Sequence, residues 1–397
     1  MGRTPIDRRH FLGTTGLALG AGGLTWAVAG TALGRVGRPG GPVARRAYIG
    51  GFTEGEFGLP DLPGIGLATV DGRTGALSLD GYFRGIDNPT YLALSPRRDV
   101  LYAVGQTARG TVHALSIDRR GRLSPINQRP TEGSTPVHLA IDPTGRYLVT
   151  VNYDSGGVAV HPLRGDGGLG PLADLAEQTG SGPHPVEQRG PHPHMVAFGT
   201  SGDVLVPDKG DDHVYVYGLD PATGRLTLRA RSFIGRGVGP RHLAFHPSGR
   251  IVYVVNELGH TVAICGYDPR TARLAVLGWA SVVPPGVDPR NAPSGVRISP
   301  DGRLLFAADR GLDTVTVYRV RDAGRTLRVV ESQPVTAKAP GSRWPRDIVL
   351  DRSGEFLYAA SEKGQSVTAL RVAPGTGRLD PVGAPLRIAS PSCVVLR

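Results

Sequence analysis

The chain has 397 residues, more than a typical single domain, and its 58 glycines, 34 prolines and low aromatic content describe a turn-rich all-β protein rather than a helical one. Its formal charge of +11 is lopsided: seven arginines against one aspartate fall in residues 1–46, and the rest shows no basic stripe with interleaved aromatics, which excludes nucleic-acid binding. Two cysteines, Cys265 and Cys393, cannot build a disulfide framework and read as buried free thiols.

The first element is an address. Arg8-Arg9 precede a glycine-rich apolar run from Phe11 to Ala29 that ends in Ala27-Val28-Ala29, the order of a basic region, an apolar region and a small-residue cleavage site. The paired arginines resemble a twin-arginine signal, which implies the twin-arginine export machinery as partner and a destination outside the cytoplasm. The glycines interrupt the run, so no stable membrane span is expected after processing. Residues 1–45 are therefore assigned to the signal and a flexible lead-in, and residues 46–397 to the folded domain.

Two hairpin signals then alternate along the chain. The first is a strand, a turn and a second strand: LALSPRRDVLYAV, LAIDPTGRYLVTV, VAFGTSGDVLVP, LAFHPSGRIVYVV, VRISPDGRLLFAA and IVLDRSGEFLYAA. The second is an alternating strand running into a Gly-x-Leu turn, in seven copies that end at Leu77, Leu123, Leu169, Leu226, Leu274, Leu327 and Leu379. The fifth copy (TARL) and the sixth (AGRTL) depart from the glycine spacing. Six copies of one hairpin against seven of the other leave RAYIGG at the start and PSCVVLR at the end as orphans. Pairing them closes a seven-bladed β-propeller, four strands to a blade, with strands from both termini and no exposed sheet edge.

In a propeller the first strand of each blade starts, and the second ends, at one rim of the central channel. The residues after the strand-opening prolines are Thr90, Val137, His194, Arg241, Ser294 and Arg346, and the second strands end in the pairs Gly105-Gln106, Asn152-Tyr153, Asp208-Lys209, Asn256-Glu257, Asp309-Arg310 and Ser361-Glu362. A scaffold has no need of so many charged groups at one rim. His138, His242 and His246 fall off this register and read as structural. The run from His184 to His194 alternates histidine with proline and matches no zinc spacing, and no acidic cluster suited to calcium stands out, so neither metal nor cofactor is expected.

The strings GPHPHMVAF, GVGPRHLAFHPSG, VYVVNEL, VPDKG and AADRG resemble the lactonase family that includes cycloisomerase-type 6-phosphogluconolactonases and a carboxy-cis,cis-muconate cyclase, over nearly all of residues 46–397. The resemblance implies a catalytic set of His194, Arg241, Glu257 and Arg310. Opening a lactone with water needs a base and cations for the oxyanion; Glu257 or His194 can serve as base, and the arginines as the forked cations. Asn152, Asp208, Lys209, Asn256, Asp309 and Arg346 are the expected substrate-binding residues. Ser361-Glu362 stands where relatives often carry Asn-Gln, which leaves the identity of the lactone open. The competing reading is a non-catalytic propeller that uses this rim to bind a ligand or protein in the cell envelope.

Overall fold

A computed structural model describes residues 45–55, 58–283, 292–335 and 344–397; the proposed signal at Arg8-Arg9 lies outside them. Within these residues the chain forms seven antiparallel sheets around one channel. Blade 1 places Pro391–Leu396 innermost, followed outward by Arg45–Gly51, Ile65–Val70 and Leu77–Phe83. Blades 2 to 7 run in chain order, with innermost strands Leu92–Leu94, Pro136–Ile141, Ala197–Phe198, Pro240–Phe245, Pro293–Ile298 and Pro345–Leu350. Blade 7 adds a short fifth strand, Leu386–Arg387, beside Ser366–Val372. No helix among the described residues is long and apolar enough to cross a membrane.

The closure expected from the orphan segments is present. Ala47 pairs with Leu396, Tyr48 with Val395 and Ile49 with Val394. Ile49 and Val394 pack against Phe356 and Tyr358 of blade 7, while Tyr48 and Cys393 pack against Leu101 and Leu115 of blade 2. Blade 1 thus buries apolar side chains on both flanks, at about 1.5–3 kcal/mol for each large one. Cys265 and Cys393 are both free and buried.

One device recurs at the seams. A tyrosine of a second strand sends its hydroxyl to a backbone carbonyl in the outer turn of the next blade: Tyr48 to Gly121 at 3.1 Å, Tyr102 to Gly167 at 2.9 Å, Tyr147 to Pro221 at 3.3 Å, Tyr253 to Gly324 at 2.8 Å and Tyr358 to Gly75 at 3.0 Å. The Gly-x-Leu turns must curl left-handed to offer that carbonyl. Gly75 has φ +79°, and a Cβ there would meet the Phe356 ring at 2.3 Å. Where the fifth copy lacks glycine, Ala272 itself takes φ +58° while fully buried.

The innermost strands carry a second recurrent feature. The ladder slips between Pro136 and His138, Pro240 and His242, Pro293 and Val296, and Pro345 and Asp347. Each slip is a β-bulge, which sets two consecutive residues against one partner and re-aims both side chains.

Candidate functional site

The bulges deliver paired side chains to the channel. A small polar pocket is lined by Thr90 and Tyr91 of the blade 2 entry, Arg241 and His242 of blade 5, Arg346 and Asp347 of blade 7, with His194, Val137, Gln106 and Ser392 completing the wall. Arg241 and His242 could not share a wall in a regular strand, where neighbours alternate faces. The bulge at Pro240 removes that alternation, so His242, expected off the rim, faces the cavity beside the expected Arg241.

Behind Arg241 stands a compact ion cluster. Glu257, one residue past its strand and anchored by its N–H to the Gly239 carbonyl at 2.8 Å, meets three cations. Its Oε2 lies 2.8 Å from Arg241 Nε and 2.6 Å from Arg310 Nη2, and its Oε1 lies 3.0 Å from Lys209 Nζ. Lys209 also donates to Glu187 at 2.6 Å and to the Tyr153 hydroxyl at 3.1 Å. Arg310 is held by the Ala292 carbonyl at 2.8 Å and lies over the Trp344 ring. Arg346 pairs with buried Glu362 at 2.7 Å and stacks on Phe52.

Two contacts in this cluster have an unusual quality. Arg241 Nε and Arg310 Nη2 are at ion-pair distance from Glu257, yet neither N–H is aligned on an acceptor. Charge attraction to one carboxylate oxygen holds both guanidinium groups at the rim.

Burial sets the protonation states. It disfavours the Glu257 carboxylate, but Arg310, Lys209 and Arg241 outweigh it and hold the group well below the usual carboxylate range. Burial also opposes the Lys209 ammonium, which Glu257, Tyr153 and Glu187 nonetheless raise. Arg241 is pulled down to about 9 by burial and by Arg310, so it stays charged at neutral pH. His194 is pushed well below its ordinary value by burial and then by Arg241, and its ring is neutral. Five cations (Lys209, Arg241, Arg297, Arg310, Arg346) thus face four carboxylates (Glu187, Glu257, Asp347, Glu362), and the cluster favours an incoming anion.

His194, Arg241, Glu257, Arg310, Lys209 and Arg346 are therefore brought together. The other four expected binding residues are not. Asn152 donates to the Thr131 carbonyl and Asn256 to Thr261 Oγ1, both at 3.1 Å. Asp208 accepts N–H groups of His192 and Gly210, both at 2.7 Å, and Asp309 those of Gly311 and Leu312. All four sit on the last paired residue of a second strand, where a short polar side chain closes the turn into the third strand instead of reaching the cavity. Burial and nearby Asp211 push the Asp208 carboxyl up to about 7, and burial raises Asp309. Gln106 and Tyr153 were visible as second members of strand-end pairs. Glu187 comes from a loop outside the repeat, where no periodic signal exists. Among the described residues no group of three or more His, Cys, Asp or Glu could hold a metal ion.

A family model described as a lactonase, seven-bladed β-propeller, matches residues 46–396. A protein from Bacillus subtilis named 6-phosphogluconolactonase is 31% identical over 350 residues, covering 87% of this chain and 97% of its own. Among solved structures, the periplasmic gluconolactonase of Pseudomonas aeruginosa superposes with a TM-score of 0.80 at 28% identity, covering 89% of this chain and 99% of that one. A protein from Bacteroides fragilis described as a putative 6-phosphogluconolactonase superposes equally, at TM-score 0.80 and 26% identity, over 89% of this chain and 98% of its own.

Proposed function

The chain belongs to the seven-bladed lactonase family, and on that premise we propose that it is an exported hydrolase that opens a small sugar or anionic lactone at the Glu257 cluster. The observation that carries this reading is the convergence of Arg241, Arg310 and Lys209 on Glu257 beside a neutral His194. Cations fixed in that way can meet an oxyanion.

In this scheme water adds to the lactone carbonyl as His194 takes its proton, and the oxygen that becomes negative is met by the arginines. Collapse expels the ring oxygen, which recovers the proton from His194. Glu257 is a poor base because three cations hold it ionised; its part is to fix the guanidinium groups in place. Lys209 and Arg346 serve to seat an anionic group of the substrate. Export is supported by the order of residues around Arg8-Arg9, and the Pseudomonas aeruginosa relative is itself named periplasmic.

The test is a panel of phosphorylated and unphosphorylated aldonolactones followed by acid release against the spontaneous rate. At least one should turn over. If none does, and a lactone-derived acid that raises the melting temperature is still bound, the rim is a binding platform and the hydrolase reading falls.

A further inference from the structure

Three imidazoles run in a row from the ion cluster into the channel. His194, His242 and His138 come from the innermost-strand entries of blades 4, 5 and 3. The His194 and His242 ring centroids are 5.3 Å apart at 66°, and those of His242 and His138 are 5.6 Å apart at 82°. Beyond His138, the Tyr91 ring lies 3.8 Å away. All three histidines are at least nine-tenths buried, at 9%, 3% and 3% exposure. Each keeps one nitrogen without a partner: Nδ1 of His194, Nδ1 of His242 and Nε2 of His138.

Such nitrogens are costly to bury, and three in a row along one channel are not explained by packing. The rings are neutral: burial pushes all three well below the ordinary histidine value, helped by Arg241 and Arg297. A neutral imidazole has one N–H and one lone pair, so it can accept a proton on one side and release one on the other. On His138 the Val196 N–H points to Nδ1 at 3.4 Å, which leaves Nε2 as the protonated nitrogen. The column also has an outlet. Tyr91 and His138 both line a second, wide cavity that opens on the far side of the propeller, so one layer of side chains separates it from the substrate cavity.

Hydrolysis creates a need for such a path. One lactone and one water give a hydroxy acid, and that acid ionises at neutral pH, so each turnover leaves a carboxylate and one proton in the cavity. The near mouth holds Arg241, Lys209 and Arg346, which retain the carboxylate, so the proton needs a neutral carrier away from it. We propose that His194, His242 and His138 form a proton path that carries the product's proton through the channel to the opposite face. The O–H bond of the new acid breaks, the carboxylate stays with the arginines, and the proton passes from His194 to His242 to His138 by N–H exchange, directly or across one water. Tautomer reversal then resets the rings. His242 and His138 act through His194 and need not touch the reacting atoms. The proposal rests on the hydrolase reading.

Its test uses His138→Phe, which keeps an aromatic ring outside the substrate cavity, with His138→Gln as the alternative should the first fail to fold. In weak buffer, turnover by the variant should fall about tenfold at unchanged KM, and added imidazole or another small permeant buffer should restore it, which lost packing would not allow. Turnover within about twofold of wild type in weak buffer overturns the path. Imidazole ¹⁵N spectra separate this result from failure of the hydrolase reading, because they need no substrate. If the rings are linked, His138→Phe shifts the tautomer populations of His242 and His194. Unchanged His194 and His242 signals overturn the path even if lactones are hydrolysed.

Discussion

The seams between blades and the cluster at the rim are built from the same repeat by opposite rules. At five seams one solution recurs, a tyrosine hydroxyl on a backbone carbonyl across an apolar contact. At the rim the same positions carry different groups from blade to blade: blades 5 and 7 each set an Arg–Glu pair there, Arg241 with Glu257 and Arg346 with Glu362, whereas blade 4 gives His194 and Lys209, and Arg310 follows a strand of blade 6. Repetition fixes where a side chain can stand, and departure from repetition decides what chemistry stands there.

The largest test of the contrast removes one seam altogether. Deleting 392–397 strips the strand that pairs with Arg45–Gly51 and bares both flanks of blade 1. The product should be insoluble or melt without a cooperative transition, followed by circular dichroism. A melting curve like that of the full chain would mean that the ring closes otherwise.

At the rim, Glu257→Gln removes the charge shared by Arg241, Arg310 and Lys209. Lactone turnover should fall about a hundredfold or more, and thermal stability with it, because three buried cations lose their counter-charge. Arg310→Lys keeps the charge and loses the fork, so it should depress turnover with a smaller loss of stability. Equal activity in both variants would place the chemistry elsewhere.

A pH titration separates the regions in a third way. His138, His194 and His242 stay neutral in the fold while the unfolded chain protonates them below about pH 6.5, so stability should fall as pH drops below that value, by about 1.4 kcal/mol per pH unit for each histidine. Asp208 acts with the opposite sign. Its folded value of about 7 lies above the unfolded one near 4, so its contribution is lost as pH rises between them. Chemical denaturation from pH 5 to 8 should give a slope that shrinks in His242→Gln; an unchanged slope would show that the column titrates in the fold.

The smallest effect returns to a seam. Ala272 holds a left-handed turn that glycine holds in five of the other copies (Gly75, Gly121, Gly167, Gly224 and Gly377), and Ala272→Gly should stabilise the protein by about 0.5–1 kcal/mol, read from urea midpoints. A loss of stability would mean that the buried methyl matters more than the backbone strain.

The same contrast explains what could be read from residues alone. Hairpin period and turn chemistry marked all the blades and the two orphan strands, because these depend on local propensity repeated many times. The rim register also held His194, Arg241, Glu257 and Arg310, which the family resemblance picked out as a catalytic set. It could not orient Asn152, Asp208, Asn256 and Asp309, since a position at a strand end does not say whether a side chain turns to the channel or back to its own turn. It set His138 and His242 aside because strict alternation assigns them to the other face, and a bulge leaves no mark in an isolated sequence. Glu187 reaches Lys209 from a loop with no period to follow.

The latch of blade 1 also orders events in time. Because Pro391–Leu396 is the innermost strand of the sheet that Arg45–Gly51 enters, a chain emerging from the ribosome can stack six blades and still hold an open ring. The channel, with its cations and its imidazoles, acquires its last wall only when Ser392 arrives beside Thr90, donating to that carbonyl at 2.6 Å. Until then every half-made molecule has an unfinished cavity, and assembly of the site coincides with the final step of folding.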